Sequence, residues 1–317
     1  MMPTEHSVSL SDIELAAEHV HGRVRRTPIL HAAPLKEPIA GTNLFIKLEN
    51  LQISGSFKAR GAINKLAHLS RDEIARGLVT ASGGNHGLAV AYAGWLFNVP
   101  ATVYLPANAP MIKEANLQSW GATVKRVGQV WDEANVAALQ EASETGATYI
   151  HPFDDPQVIA GQGTLAIEVL HDLHQIDAIV IAIGGGGLIS GAAIAAKALK
   201  PNIKVIGVEP TGAPTLYESV RAGKLITLEH ITTKANTLAP RRSSHINLDI
   251  ISRHVDEIVL VTDDEMRNTA QWLWHELGIG AELSSAAAVA ALLHNKVLLP
   301  ANANVCAVVC SAGTDGI

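Results

Sequence analysis

Residues 178–196 carry no charge, and four successive glycines, Gly184, Gly185, Gly186 and Gly187, stand in the middle of that run. Few folds accommodate such a segment. It approaches the length of roughly 20 apolar residues that a membrane-crossing helix needs, but four glycines would break a helix at its centre. What remains is a buried strand (178–183), a glycine turn and a buried helix (189–198). That is the repeating unit of a parallel sheet covered by helices on both faces.

The rest of the chain repeats this unit. Short apolar runs predict strands at 44–48, 78–81, 101–105, 123–127, 147–150, 205–208 and 304–310. Helical periodicity predicts helices from Gly55 through Leu66 and at 88–97, 111–120, 131–145, 164–173, 213–222, 263–277 and 284–295. Ser11-Asp12-Ile13-Glu14 fits a capping box that opens a short first helix. Residues 231–249 have weak periodicity and read as a long connection, the kind of segment that often carries function. The units fall into two clusters that divide near residue 150. At 317 residues the chain exceeds what a single core usually supports. The expected class is α/β, with two open twisted, mostly parallel sheets covered by helices.

Composition excludes several functions. Hydrophobic residues make up 48% and charged residues 17%, which a disordered chain would not have. The net charge is −6, and the basic pairs Arg25-Arg26 and Arg241-Arg242 are isolated, so no nucleic-acid partner is expected. The N-terminus lacks a basic stretch followed by an apolar one, so no secretory signal is expected. The two cysteines, Cys306 and Cys310, sit in one apolar strand. Four strand residues span about 13 Å, whereas a disulfide needs Cα atoms within about 7 Å. Reduced thiols and no membrane partner point to the cytoplasm.

Three motifs carry chemistry. In Ser54-Gly55-Ser56-Phe57-Lys58-Ala59-Arg60-Gly61, Lys58 falls at the start of a helix, where the dipole disfavours a cation. Such a lysine suits a neutral amine, or one held as a Schiff base by a carbonyl cofactor. In Ser82-Gly83-Gly84-Asn85-His86-Gly87, between a strand and a helix, Ser82, Asn85 and His86 can surround a small carboxylate with help from free backbone N–H groups. The turn Gly184 to Gly187, followed by Leu188, can wrap a phosphate in the same way. Taken singly, each has an ordinary reading as a surface lysine or a strand-to-helix turn. The glycine turn also leaves a dinucleotide site open, with Glu209 at about the right distance for a ribose. Together the three are the parts of a pyridoxal-phosphate site.

At these residues the chain resembles the serine/threonine dehydratase family of fold-type II pyridoxal-phosphate enzymes, which includes serine racemase. The matching segments are RRTPIL, IKLENLQISGSFKARGA, ASGGNHGLAVAYA, HPFDDPQVIAGQGTLAIEV and IGGGGLISG, in family order over nearly the whole chain. The resemblance implies a tryptophan-synthase-β-like fold. A large cofactor-binding domain would span 1–50 and 150–317, and a small mobile domain 51–149. It implies that Lys58 carries the cofactor, Phe57 packs against its ring, Asn85 bonds the ring hydroxyl, Gly184 to Leu188 hold the phosphate and Ser311 meets the pyridine nitrogen. Ser82, Gly83, Asn85 and His86 would form the substrate-carboxylate loop.

The sequence departs from the family at three places. Ser311-Ala312-Gly313-Thr314 replaces a Ser-Gly-Gly-Asn motif, which puts contacts around Thr314 in doubt. Gly83 stands where racemases carry a second serine that acts as base on the opposite face of the substrate. The racemase-like divalent-metal position would use Glu209, the Ala213 carbonyl and an acid at 215, but Thr215 leaves a single carboxylate, fewer charged oxygens than a hard cation usually wants. No metal is therefore expected. His171 and His174, three apart on a helix, read as an exposed face because no third ligand is near.

The expected activity is elimination of water from a small 3-hydroxy amino acid, with Lys58 moving the Cα proton. Ser311, not being a carboxylate, is expected to leave the ring a weaker electron sink. Racemisation, β-replacement, a non-catalytic cofactor-binding protein and a nicotinamide dehydrogenase are the rival readings. A homodimer is the family habit.

Overall fold

The structure, a computed structural model, describes residues 8–36, 38, 39 and 41–317. Residues 1–7, on which the reading of the N-terminus partly rests, lie outside the described residues. Ten strands form among the described residues: β1 (Ile29–His31), β2 (Asn43–Leu48), β3 (Leu78–Ala81), β4 (Ala101–Leu105), β5 (Thr123–Arg126), β6 (Thr148–Tyr149), β7 (Ala178–Ala182), β8 (Lys204–Pro210), β9 (Glu257–Val261) and β10 (Asn304–Val309). They make two sheets, ordered β1-β2-β10-β7-β8-β9 and β5-β4-β3-β6. Every pairing is parallel except β1 with β2. β10 lies at the centre of the larger sheet, with Ala307 opposite Ile46 on one side and Val180 on the other. Helices cover both its faces, so β7 is buried along its whole length and reads as an unbroken apolar run.

Connectivity places the site. In the larger sheet the chain leaves β7 toward β8 and β9, while β10 and β2 lie on the other side. In the smaller sheet the chain leaves β3 toward β4 and β5, while β6 lies on the other side. Such reversals of strand order open a crevice at the carboxyl ends of the strands, where α/β proteins bind ligands. The Gly184–Gly187 turn and Ser311 follow β7 and β10. The Ser82–Gly87 turn and residues 150–153 follow β3 and β6. Both crevices therefore carry motifs singled out in the sequence.

Several boundaries differ from the sequence expectation. The helix expected at 164–173 begins much earlier and spans Pro156–Asp172, with Pro156 in its first turn and the Asp155 side chain accepting from the Gln157 and Val158 N–H groups. Gly161 and Gly163, inside this helix, are contact points. A methyl at Gly161 would lie 2.7 Å from the Arg60 carbonyl oxygen, and one at Gly163 would lie 2.8 Å from that of Gly191. Two neighbouring helices, Lys58–Ala67 and Gly187–Leu199, approach this one so closely that only glycine fits. The first helix is Leu10–Val20. Its capping box is Ser9 with Asp12, so Ser11 lies inside the helix and the expected box is displaced by two residues. The connection read at 231–249 ends earlier, because the helix His245–His254 starts after the Ser244 cap. β1, β9 and the short helix Arg71–Arg76 were not read from the sequence.

The helix Lys58–Ala67 is anchored by a buried ionic cluster. Arg60, with no solvent exposure, uses all five of its N–H groups. It donates to Glu49 (2.8 and 2.8 Å), Glu168 (2.7 and 2.9 Å) and the Thr164 hydroxyl (3.1 Å). Lys47, equally buried, donates to Glu168 (2.6 Å) and the Thr27 carbonyl (2.8 Å). Two cations thus balance two carboxylates. Burial works to raise the Glu49 carboxyl, but Arg60, Thr27 and Lys47 hold it below the ordinary range.

Candidate active site

The turn Ser54 to Lys58 is stapled to the end of β10. Ser56 bridges to Ser311, the Phe57 N–H donates to the Cys310 carbonyl (3.2 Å), and the Ala312 N–H donates to the Gly55 carbonyl (2.8 Å). Ser54 adopts φ 60° and Gly55 φ 77°, which turns the chain sharply into the helix. The Lys58 amine then reaches across and donates to the Pro152 carbonyl at 2.6 Å. Burial lowers it from 10.5 to about 8, with Cys310 acting weakly in the other direction. The Phe57 ring lies beside it, with its centroid 5.1 Å from the amine.

The glycine turn meets the same segment from the other side. A methyl at Gly185 would lie 2.1 Å from Phe153 Cδ1, one at Gly187 3.1 Å from Phe153 Cα, and one at Gly184 2.5 Å from the Thr237 carbonyl. Gly186, at φ 99°, caps the buried helix Gly187–Leu199, whose second residue is Leu188. Asn247 ties the pieces together: its amide nitrogen donates to the Phe153 carbonyl (2.9 Å) and the Gly185 carbonyl (3.1 Å), and Ser243 also donates to Gly185 (2.8 Å). The structure thus brings Lys58 and the glycine turn onto adjacent residues, Pro152 and Phe153.

The third motif completes the cleft. Gly84 caps the helix Asn85–Phe97, whose first N–H groups have no partner within the helix. The helix starts three residues before its expected beginning, so Asn85, His86 and Gly87 form its first turn. The Ser82 hydroxyl accepts from the Gly84 N–H at 3.3 Å. The buried His86 ring turns away from this loop and bonds the Ile150 carbonyl through Nε2 (2.9 Å). Burial, with Lys58 nearby, pushes it down to about 3, so the ring is neutral. His86 therefore offers the loop its backbone N–H. The Asn85 amide nitrogen donates to Glu282 (3.0 Å), and Ser311 bonds the same carboxylate oxygen.

Sequence reasoning missed Glu282, Asn247 and His151. His151 Nδ1 accepts from the N–H groups of Phe153 (3.2 Å) and Asp154 (2.7 Å), which shapes the turn that both other motifs touch. Burial lowers it as well. The resemblance covered this segment, but nothing in its spacing marked it as a junction.

The sequence profile of the pyridoxal-phosphate dependent enzymes matches residues 20–311. The chain belongs to that family. This pyridoxal-phosphate enzyme is 40% identical to the L-threonine ammonia-lyase of Thermotoga maritima, over 90% of this chain and 71% of that one. It is 38% identical to the serine racemase of Dictyostelium discoideum, over 90% of this chain and 89% of the relative. The solved structure of the processed form of threonine deaminase isoform 2 from Solanum lycopersicum superposes with a TM-score of 0.91 at 34% identity, covering 99% of this chain and 95% of that one.

The residues present fit the cofactor. A glycine-lined helix start, a lysine amine lowered to about 8 and the buried hydroxyls of Ser54 and Ser56, which have no partner among the described residues, supply the amine and the donors it needs. The position considered for a divalent cation does not fit one. Glu209 spends both oxygens on the N–H groups of Leu216 (2.9 Å) and Tyr217 (2.7 Å), and the Thr215 hydroxyl donates to the Pro240 carbonyl (2.7 Å). Burial raises Glu209 to about 8 against those two bonds. Among the described residues no group of three or more His, Cys, Asp or Glu side chains is placed to hold a metal. Cys306 and Cys310 are free and buried, and among the described residues no helix is long and apolar enough to cross a membrane.

Proposed function

We propose that this enzyme eliminates water from a small 3-hydroxy amino acid, L-threonine or L-serine, to give a 2-oxo acid and ammonium. The observation that carries the reading is the meeting of the Lys58 amine, the glycine turn and the Ser82–Gly87 turn around residues 150–153. The bound cofactor supplies an aldehyde for the substrate amine and a ring that withdraws electrons from Cα. Gly184 to Leu188 hold its phosphate, and Phe57, Asn85 and Ser311 line its ring. Lys58 takes the proton from Cα, a task suited to an amine near neutrality. The Ser82 hydroxyl and the N–H groups that open the Asn85–Phe97 helix, Asn85 and His86 included, orient the substrate carboxylate.

Names of relatives support both lyase and racemase readings. Gly83 weighs toward the lyase. A methyl there would lie 2.9 Å from Leu105 Cδ2 and 3.2 Å from Lys113 Cδ, so the position offers neither a base nor room for one without movement. The division into a mobile lobe (51–149) and a cofactor lobe (1–50 with 150–317) is part of the proposal, supported by the four strands of the smaller sheet lying within 78–149. A homodimer in the cytoplasm completes it.

The test is a 2-oxo acid assay over a panel of 3-hydroxy amino acids, with Lys58→Ala as control and chiral analysis of the remaining substrate. Turnover of threonine or serine that vanishes in the variant is expected. Racemised substrate without 2-oxo acid, or borohydride fixing the cofactor to another lysine, would overturn the reading.

A further inference from the structure

His151 stands where the three motifs of the cleft meet. The ladder between β3 and β6 runs on to the Ile150 N–H, which donates to the Val79 carbonyl (2.9 Å), so His151 comes next, beside Ala81 and Ser82. The residue after it, Pro152, holds the Lys58 amine. Its ring packs edge-on against Phe153, the side chain that meets the glycine turn, with centroids 4.7 Å apart. The ring is half-buried, and its two nitrogens are not alike. Nδ1 accepts from the N–H groups of Phe153 (3.2 Å) and Asp154 (2.7 Å), so it carries no proton and the hydrogen of the neutral ring is on Nε2. A proton added at Nδ1 would be set against both N–H groups. Burial and the Lys58 amine also hold the ring below its ordinary value, against Asp154 and Asp155. Nε2 lies across the ring from that turn, has no partner among the described residues and is not sealed from water. The neighbouring polar side chains are spent elsewhere: the His86 ring on the Ile150 carbonyl, the Asn85 amide on Glu282 and the Asn247 amide on Phe153 and Gly185.

We propose that His151 is a catalytic residue whose Nε2–H donates a hydrogen bond to the β-hydroxyl oxygen of the substrate and stabilises that oxygen as it leaves. The inference rests on the proposed function, which sets the substrate amine beside Lys58 and the substrate carboxylate on the Ser82–Gly87 turn. Cβ then projects from between those two groups toward the segment that joins them, and His151 is the donor there that nothing else uses. A neutral imidazole of fixed tautomer suits the task, because it polarises the oxygen without placing a second cation beside Lys58. It does not supply the proton. The Cβ–O bond breaks with its electron pair going to oxygen. One proton, the equivalent of that which Lys58 takes from Cα, completes the water, and His151 ends with the hydrogen it began with.

Two measurements on holoenzyme test it. The first compares L-serine with 3-chloro-L-alanine in the wild type and in His151→Asn. Both compounds yield the same 2-oxo acid, but chloride leaves without a proton and accepts hydrogen bonds poorly. Asparagine can still accept the N–H groups of the turn through Oδ1, and it has no donor at the reach of Nε2. The variant's kcat on serine is expected to fall about 100-fold, and at least about tenfold further than its kcat on 3-chloroalanine. Losses on the two compounds that agree more closely than that mark a ring that only shapes the turn, and overturn the inference. The second measurement needs no variant. ¹⁵N-histidine NMR of the wild type follows His151, assigned by its contacts with the Phe153 ring. 2-Methylserine, which has no Cα proton to lose, is expected to shift the Nε2–H proton downfield, whereas 2-aminoisobutyrate, which also lacks the hydroxyl, leaves it in place. Equal shifts with the two compounds, or a proton on Nδ1, overturn the inference. A wild type that gives no 2-oxo acid from any 3-hydroxy amino acid defeats the proposed function and this inference with it. A wild type active on serine, with a variant that loses both compounds alike, defeats this inference alone.

Discussion

Replacing Arg60 by methionine tests whether the helix that presents Lys58 is held by charge. The guanidinium and both of its anchoring sites are almost sealed from water, with side-chain exposures of 0% for Arg60 and Glu49 and 12% for Glu168. Methionine fills much of the volume but removes all five hydrogen bonds and one of the two cations. Lys47 then faces two carboxylates, and one buried negative charge is uncompensated. Breaking a buried pair from one side destabilises by about 3–5 kcal/mol. For 317 residues, an unfolding entropy of about 2.1 cal/mol/K per residue gives about 0.7 kcal/mol/K, so each kcal/mol moves the melting temperature by about 1.5 °C. Arg60→Met should therefore melt about 5–8 °C below the wild type by circular dichroism. If uncompensated charge is the cause, adding Glu49→Gln should recover part of the loss, although Glu49→Gln alone destabilises. The effect also has a sign in pH. Glu49 is held below its ordinary value, so its contribution is present above about pH 4.5 and fades as acid protonates it in the folded state. Arg60→Met should flatten that acid limb. A variant that melts within 1 °C of wild type, or a double variant no more stable than Arg60→Met, would refute the reasoning.

Three further outcomes follow from the site. Gly185→Ala places a methyl 2.1 Å from Phe153 Cδ1, so the turn or the ring must shift; overpacking of about 1–3 kcal/mol corresponds to cofactor binding weakened by about 5- to 150-fold in an equilibrium titration, whereas Gly84→Ala, where a methyl meets nothing within 4 Å, keeps cofactor affinity. In apoenzyme the Lys58 amine, lowered to about 8, should become reactive toward reductive methylation through pH 8, ahead of surface lysines. Between about pH 8 and 10.5 the unfolded chain holds that proton and the folded one does not, so stability rises with pH there, and Lys58→Ala should reduce the slope. Gly83→Ser directs its side chain toward Leu105 and Lys113, so by itself it should add no racemisation detectable by chiral chromatography.

The sequence exposed the parts of this fold governed by local chemistry. β3, β4 and the helices Trp131–Thr145 and Asp263–Leu277 stand where periodicity puts them, because an apolar run or an amphipathic stripe ends at a residue that cannot continue it. It was misleading where tertiary contact overrides local preference. Glycine disfavours a helix interior, and only the packing of three helices explains why Gly161 and Gly163 are retained inside Pro156–Asp172. Ser9 and Ser11 both precede an acid by three residues, Asp12 and Glu14. The helix uses the first pair, which turns Ile13, Ala16 and Val20 inward.

The candidate site was legible to the extent that its groups announce themselves. A lysine opening a helix and two glycine-bearing turns after strands carry backbone chemistry that spacing alone reveals. Glu282, Asn247 and His151 carry none: each is an ordinary polar residue whose role depends on what the topology sets opposite it. Strand order reverses at β3 beside β6 and at β7 beside β10, and the segment after β6 lies between the two crevices. Its residues therefore serve both, His86 through Ile150, Lys58 through Pro152 and the glycine turn through Phe153. A pattern read along the chain cannot disclose that junction, because its partners come from residues 58, 86, 185 and 247 and meet only when both sheets have formed.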